Sequence, residues 1–269
     1  CVTGVQTCAL PILTNFQSNN EGGGAVRFRD LTIIPLPNGD ELVMAGDVAA
    51  GIGELPGDML VTTPEIVGAA TARVVIMELL AYGAEPTALM HLVGNPWQTI
   101  GQRSLAGVKD ELTKAGCPTV EINGSSENTM TTKGTSVGVS AVGIKPASKK
   151  TQNSVHIGDV LYRVGKPLVG AEVLEEADKA VTYSQLRIIR GLSVTTDMLP
   201  VGSHGIYREA HSMAKLAGLE VELVGTAEEE ALWHKPAGPA TTLLVAVKSS
   251  DRVELEQAVP DAVLIGKFK

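Results

Sequence analysis

The pattern of hydrophobic and polar positions predicts alternating strands and helices along almost the whole chain. Strands are expected at 32–36, 41–45, 87–93, 119–122, 136–144, 155–164, 193–195, 220–224, 241–247 and 262–265. Helices are expected at 64–82, 99–115, 183–190, 206–217, 227–232 and 251–258. Strand pairs combined with long helices imply an α+β protein of two domains, each a mixed sheet covered on one face by helices. The polar stretch 145–153 is the natural boundary, giving domains at 29–147 and 154–269.

Local signals sharpen two of these elements. Thr62-Thr63-Pro64-Glu65 reads as a helix start, with a threonine cap on Thr62, Pro in the first turn and Glu three residues later, and Gly83 is placed to end the helix. Between them the chain is almost wholly apolar, and Glu78 is the only acid of the last three turns. Such an acid either points to solvent from a helix edge or is held by a cation. The strands at 32–36 and 41–45 flank Pro37-Asn38-Gly39, a hairpin signal, with Asp30 before the first strand and Asp47 after the second. Folding the hairpin brings Asp30 and Asp47 together, where they are either ordinary turn aspartates or a pair suited to a hard divalent cation.

The run from Arg29 to Gly53, followed by Glu78-Leu-Leu-Ala-Tyr-Gly-Ala-Glu-Pro86, resembles the aminoimidazole ribonucleotide synthetase (PurM-like) superfamily. That superfamily includes thiamine-monophosphate kinase, a hydrogenase maturation dehydratase and selenophosphate synthetase. Its helix motif carries an Asp before Leu-Ala-Ala-Met-Gly-Ala-x-Pro; here Glu78 stands in its place. Asn123-Gly124-Ser125-Ser126-Glu127-Asn128 sits where the family has a Gly-Gly-Asp or Gly-Gly-Glu-Thr turn. The family's acid would fall on Ser125, so the resemblance passes its role to Glu127 through a shifted loop. His156-Ile-Gly158-Asp159 is similar to the start of the family's second domain, and Ala237-Gly238-Pro239-Ala-Thr241 to its late strand. Gly51-Ile-Gly53, Pro56-Gly57-Asp58 and Leu199-Pro-Val-Gly202-Ser-His-Gly205 resemble the synthetase-related branch that contains the α-ribazole kinases of cobamide salvage.

The resemblance implies ATP and Mg²⁺ as cofactors. Asp30, Asp47, Glu78 and Glu127 are the implied metal ligands, Asp47 and Glu127 the implied catalytic acids, and Asp30, Asp47, Gly51, Gly53, Glu78, Gly124, Ser125 and Asn128 the implied nucleotide-binding residues. Lys133, Asn128 and Ser203 are further phosphate or acceptor contacts. Phosphoryl transfer to a small molecule with a hydroxyl acceptor, possible for α-ribazole, is the expected reaction. Ring closure or dehydration by phosphate activation, and a non-catalytic nucleotide-binding scaffold, are the alternatives. Paired first-domain sheets in a homodimer are implied as well.

Composition narrows the classes further. Net charge is −8 with no basic block and aromatic residues are 3% of the chain, which argues against nucleic acid as a partner. No Gly-x-x-x-x-Gly-Lys-Ser/Thr loop is present, so ATP binding must use metal and glycine amides. The segment 1–12 resembles a translated sequencing adaptor, which sets Cys1 and Cys8 aside and leaves Cys117 as a small buried thiol in a reducing, cytoplasmic setting. No run is long enough to span a membrane. The rest of 1–28 is a tail whose Gly22-Gly23-Gly24 either closes over phosphates or is merely disordered. His91, His156, His204, His211 and His234 lack zinc spacing, though the Gly202-Ser203-His204-Gly205 helix start is suited to an anion.

Overall fold

The computed structural model describes residues 24–149 and 153–269; the adaptor-like segment, Gly22, Gly23 and the linker residues 150–152 lie outside them. The chain divides into two compact units, 1–149 and 150–269. No helix among the described residues is long and apolar enough to cross a membrane.

The first unit is built on β1 (Val26–Phe28), β2 (Leu31–Pro35), β3 (Glu41–Ala50), β6 (Glu85–Val93), β7 (Glu121–Ser126) and β8 (Ser136–Lys145). They form one sheet in the order β1-β2-β3-β8-β6-β7, antiparallel except for the parallel β6–β7 pair. Two short strands, β4 (Ile52–Gly53) and β5 (Leu60–Val61), pair in parallel beside it. Helices α1 (Pro64–Tyr82) and α2 (Gln102–Lys114), the latter entered through a π-helical turn at Trp97–Gly101, pack on one face. Along β8 every second residue, from Val137 to Lys145, is buried and the others are half-exposed. That alternation marks a sheet with one covered face and one open face.

Helix α1 has the expected bounds, but Thr63 is its cap, and Glu65 turns away from Thr62 to form a bidentate pair with Arg103 of α2, 2.7 and 3.0 Å. Gly83 ends it in the left-handed conformation at φ 98° and donates to the carbonyls of Leu79 and Leu80. The two helices touch backbone to backbone at a reciprocal pair of glycines. A Cβ on Gly68 would lie 2.0 Å from the Ser104 carbonyl oxygen, and one on Gly107 would lie 1.8 Å from that of Glu65.

The second unit holds β9 (Val160–Val164), β10 (Thr195–Pro200), β11 (Val221–Leu223), β12 (Leu243–Val247) and β13 (Val263–Phe268) in the order β10-β12-β9-β13-β11. Its sheet is antiparallel throughout rather than mixed. Helices α3 (Glu172–Glu175), α4 (Tyr183–Gly191), α5 (Gly205–Leu216), α6 (Ala227–Leu232) and α7 (Arg252–Ala258) accompany it. Strands β9, β10 and β12 are buried at every residue, so this sheet is covered on both faces and not on one. On one side Ile206, Ala210, Met213 and Ala214 of α5 pack with Leu161, Leu244, Ile265 and Phe268. From the intervening strand position the Tyr162 hydroxyl donates to Glu256 of α7 at 2.5 Å. The unbroken apolar run Leu243-Leu-Val-Ala-Val247 is what a strand buried on both sides requires.

Replacing Gly107 with Ala tests the helix crossing. Alanine improves intrinsic helix propensity by about 1 kcal/mol, yet its methyl has no space, so we expect a net loss on the order of 2–3 kcal/mol in urea unfolding. An unchanged or raised midpoint would contradict the close crossing.

Candidate functional site

The longest ladder in the first unit places the candidate acids. Strand β3 pairs with β8 over ten registered positions, Glu41 with Lys145 through Ala50 with Ser136, which sets Asp47 opposite Val139. Val139 faces His91 on β6, and His91 faces Gly124 on β7. One row across the sheet therefore runs Asp47, Val139, His91, Gly124. Asp47 shares its strand face with Val43, Ala45 and Ala49, all buried. Burial pushes its carboxyl up from 3.8 to about 6, the Val48 amide pulls it down, and the charge of Asp30 pushes it up again. The hairpin thus brings Asp30 and Asp47 within electrostatic reach, as the turn at Asn38-Gly39 predicts. His91 is 3% exposed, and burial takes its ring down to about 4, so it is neutral. Its Nε2 lies 3.0 Å from Ser104 Oγ, which itself donates to the Gly101 carbonyl at 3.1 Å. With that hydroxyl proton committed, the oxygen accepts from an Nε2–H tautomer.

Beside this row lies a cavity of about 850 Å³, lined by Gly46, Asp47 and Val48 of β3, Leu92 and Val93 of β6 with Gly94 after them, Ser125 to Glu127, and Ser136 and Gly138 to Ser140 of β8. The residues around it include two acidic ones, four serines and three glycines, and no lysine, arginine or histidine; the Asp47 side chain stands on the helix-covered face of β3, and Gly46 and Val48 on the open one. Glu127 accepts through a single oxygen, Oε1, from the Thr129 amide at 2.7 Å, the Thr129 hydroxyl and the Met130 amide at 3.0 Å. These bonds, the Thr129 hydroxyl foremost, hold its carboxyl below the ordinary value. The turn after β7 is thereby fixed by one oxygen of the carboxylate.

Asp47, Ser125 and Glu127 share this cavity; Asp30, Gly51, Gly53, Glu78, Gly124 and Asn128 do not line it. Asp30 sits in the β1–β2 turn and Glu78 is half-buried on α1. Among the described residues no three His, Cys, Asp or Glu side chains converge as a metal cluster, so Asp30, Asp47, Glu78 and Glu127 do not form one cage within the chain. The expected turn at 123–128 is also revised: β7 continues to Ser126 and the chain turns only at Glu127. Gly124 permits this, because a Cβ there would lie 1.9 Å from the His91 carbonyl oxygen and force β7 away from β6. Asn128 accepts from the Trp97 amide at 2.8 Å and so anchors the entry to α2. In the second unit, the Gly202–Gly205 helix start has its Tyr207 amide already bonded to the Trp233 carbonyl at 2.9 Å, which leaves less for an anion.

Two polar residues to which the sequence analysis gives no role, Asp58 of the Pro56-Gly57-Asp58 motif and Asn95, organise the cavity wall. Asn95, fully buried, donates to Thr132 Oγ1 at 2.5 Å and the Gly134 carbonyl at 2.9 Å, and accepts from the Ser136 amide at 2.8 Å. Asp58 accepts from Leu55 N at 2.8 Å, Thr135 N at 2.7 Å and Thr135 Oγ1 at 2.7 Å. The available sequence signals were the turn formers Asn95-Pro96 and Gly57-Asp58, which mark a loop without showing what it grips.

Residues 29–145 match the family model described as AIR synthase related protein, N-terminal domain. A search of the curated proteins finds no match. Among solved structures, the chain is similar to thiamine monophosphate kinase from Aquifex aeolicus, at 16% identity and a TM-score of 0.63, covering 90% of this chain and 89% of that one. PurL from T. maritima, complexed with AMPPCP, aligns at 14% identity and a TM-score of 0.62 over 91% of this chain but 41% of its own. E. coli HypE, a hydrogenase maturation protein, aligns at 15% identity and a TM-score of 0.59, covering 84% and 79%. The family-model match supports the resemblance over residues 29–145, and the α+β architecture is the one that these solved structures share with the chain.

Asp47→Asn separates the chemistry of the site from its stability. A carboxyl raised to about 6 binds its proton more tightly in the folded state, so the wild type loses stability as pH rises from 3.8 through 6. The variant is expected to be more stable than wild type at pH 7.5 by on the order of 2 kcal/mol, the gain vanishing below pH ~4. Thermal melts across that range would refute the argument if the variant were equally stable or weaker at neutral pH.

Proposed function

We propose that this chain, whose residues 29–145 match the AIR synthase related protein N-terminal domain, is an ATP- and Mg²⁺-dependent kinase of a small molecule with a hydroxyl acceptor, with α-ribazole as the candidate acceptor. The observation that carries the reading is the cavity of the first unit. It holds Asp47 and Glu127 among serines and glycines, with no cationic side chain in its lining. Asp47 keeps a desolvated carboxylate beside the charge of Asp30, an arrangement that is costly by itself and relieved by a divalent cation. Two carboxylates suit magnesium, which usually keeps several waters and completes its shell with phosphate oxygens. Asp30 and Asp47 are the residues that would hold it, and the bound ion would draw charge off the transferring phosphoryl group.

The remaining work falls to the chain itself. Glu127 has Oε1 committed to its turn, so Oε2 is the atom it has for a ligand or a bound water. The glycines and serines of the wall let a polyphosphate approach the backbone closely and offer hydroxyl donors to its oxygens. Phosphoryl transfer through a loose transition state depends on such positioning more than on a strong base. The end-to-end correspondence with thiamine monophosphate kinase supports a kinase-sized unit, whereas the chain spans less than half of PurL.

The homodimer belongs to the same proposal. Met44 and Met90 are 36% and 43% exposed on the uncovered face of the first sheet, outside the cavity lining and at positions that alternate with buried ones. A second copy of this chain is the occupant that would bury that face.

The decisive assay is ATP turnover with Mg²⁺ in the presence and absence of α-ribazole, with products resolved by mass. Phosphorylated α-ribazole made by the wild type and reduced by at least 10³-fold in Asp47→Asn is the expected result. Inorganic phosphate without a phosphorylated product would move the assignment to a ligase or dehydratase, and nucleotide binding without turnover on any acceptor would leave a scaffold.

A further inference from the structure

Two loops next to the cavity are fastened to each other at several points. From the β3–β5 connection, the Gly51 amide donates to the Thr135 carbonyl at 2.9 Å and the Gly57 amide to the Lys133 carbonyl at 2.7 Å. Asp58 takes both the amide and the hydroxyl of Thr135. The approach is so close that a Cβ on Gly57 would lie 2.7 Å from the Lys133 carbonyl oxygen, and one on Gly53 would lie 2.2 Å from Thr135 Oγ1. From the other side, Asn95 holds Thr132, Gly134 and Ser136 with three bonds. The segment 132–136 is therefore gripped at almost every residue, although Thr132 and Lys133 are exposed. Arg103 extends the same fastening outward, bonding Glu54 of the loop as well as Glu65 of α1.

So much bonding around an exposed segment calls for a reason. Lys133 supplies one: it stands three residues before Ser136 of the cavity wall, is exposed, and its ammonium has no ion pair or hydrogen bond among the described residues. The wall itself contains no cation, while a nucleotide brings several negative charges. We propose that Lys133 is a polyphosphate-binding residue of the site, and that Asp58 and Asn95 are positioning residues that mount it. The inference rests on the nucleotide reading above and adds to it the cation that the cavity lining lacks. Holding the main chain of Lys133 rigid reduces the conformational freedom lost when the ammonium engages a phosphate. Its flexible stem then needs to settle only its own rotamers.

The test is calorimetric titration of AMPPCP with Mg²⁺, and of AMP as control, into the wild type, Lys133→Ala, Lys133→Arg and Asp58→Asn. Lys133→Ala should weaken AMPPCP about tenfold, the worth of one charge-assisted hydrogen bond, with little effect on AMP, and Lys133→Arg should recover most of the loss. Asp58→Asn should weaken AMPPCP by a smaller factor and speed hydrogen exchange at the Thr135 and Ser136 amides, which a side chain serving stability alone would do without touching affinity. Wild-type binding that Lys133→Ala leaves unchanged would overturn this inference and spare the nucleotide reading. Failure of the wild type to bind AMPPCP would end both, and unchanged affinity in Asp58→Asn would remove the positioning role.

Discussion

The ten-residue antiparallel ladder between β3 and β8 is the constraint on which the rest of the first unit depends. It fixes which residues of β3 face the helices, and a shift of one position would carry Asp47 to the opposite side of the sheet. It also brings Ser136 to Ser140 against Gly46 to Val48, which makes the cavity wall out of segments about ninety positions apart in the chain. The ladder ends at Glu41 and Lys145, where Glu41 accepts from Lys145 Nζ at 2.9 Å and from the Tyr82 hydroxyl at 2.8 Å. That polar clamp ties the far end of the sheet to the end of α1 and leaves the cavity and its loops at the other end.

At the cavity end local stability is given up. Asp47 is a carboxylate kept among Val43, Ala45 and Ala49, next to a second negative charge. His91, one row neighbour away, is buried neutral and bonded to a serine. The two groups respond to acid in opposite senses: protonation relieves Asp47, while a proton on His91 has to be forced into a buried site. Their windows overlap, from 3.8 to about 6 for Asp47 and from 6.5 down to about 4 for His91, so the two contributions oppose each other over that range.

Much of this architecture was legible in the chain. Helix α1 and the β2–β3 hairpin follow from a proline and a glycine at the helix ends and an Asn-Gly turn between two apolar strands, signals that act within a few residues. Strand β7 was misread because Asn123-Gly124-Ser125-Ser126 has turn composition, and its strand conformation is imposed by parallel pairing with β6, a partner some thirty residues earlier. The grip of Asp58 on Thr135 spans 77 positions and leaves no periodic trace at all. The superfamily motifs pointed to the individual acids, but Glu78 and Glu127 contribute to different surroundings, and no local pattern reports that distance.

The contrast between the two sheets reaches beyond the site. The second unit closes its central strands on both sides with its own helices and so carries its stability within itself. The first has only one side closed, and the apolar residues on the other remain in water until something covers them. Stability of that kind is subject to mass action: it grows with the concentration of whatever covers the face. With a second copy as the proposed cover, dilution would weaken the first unit and leave the second untouched, and cellular abundance would itself be a variable in how long the site persists.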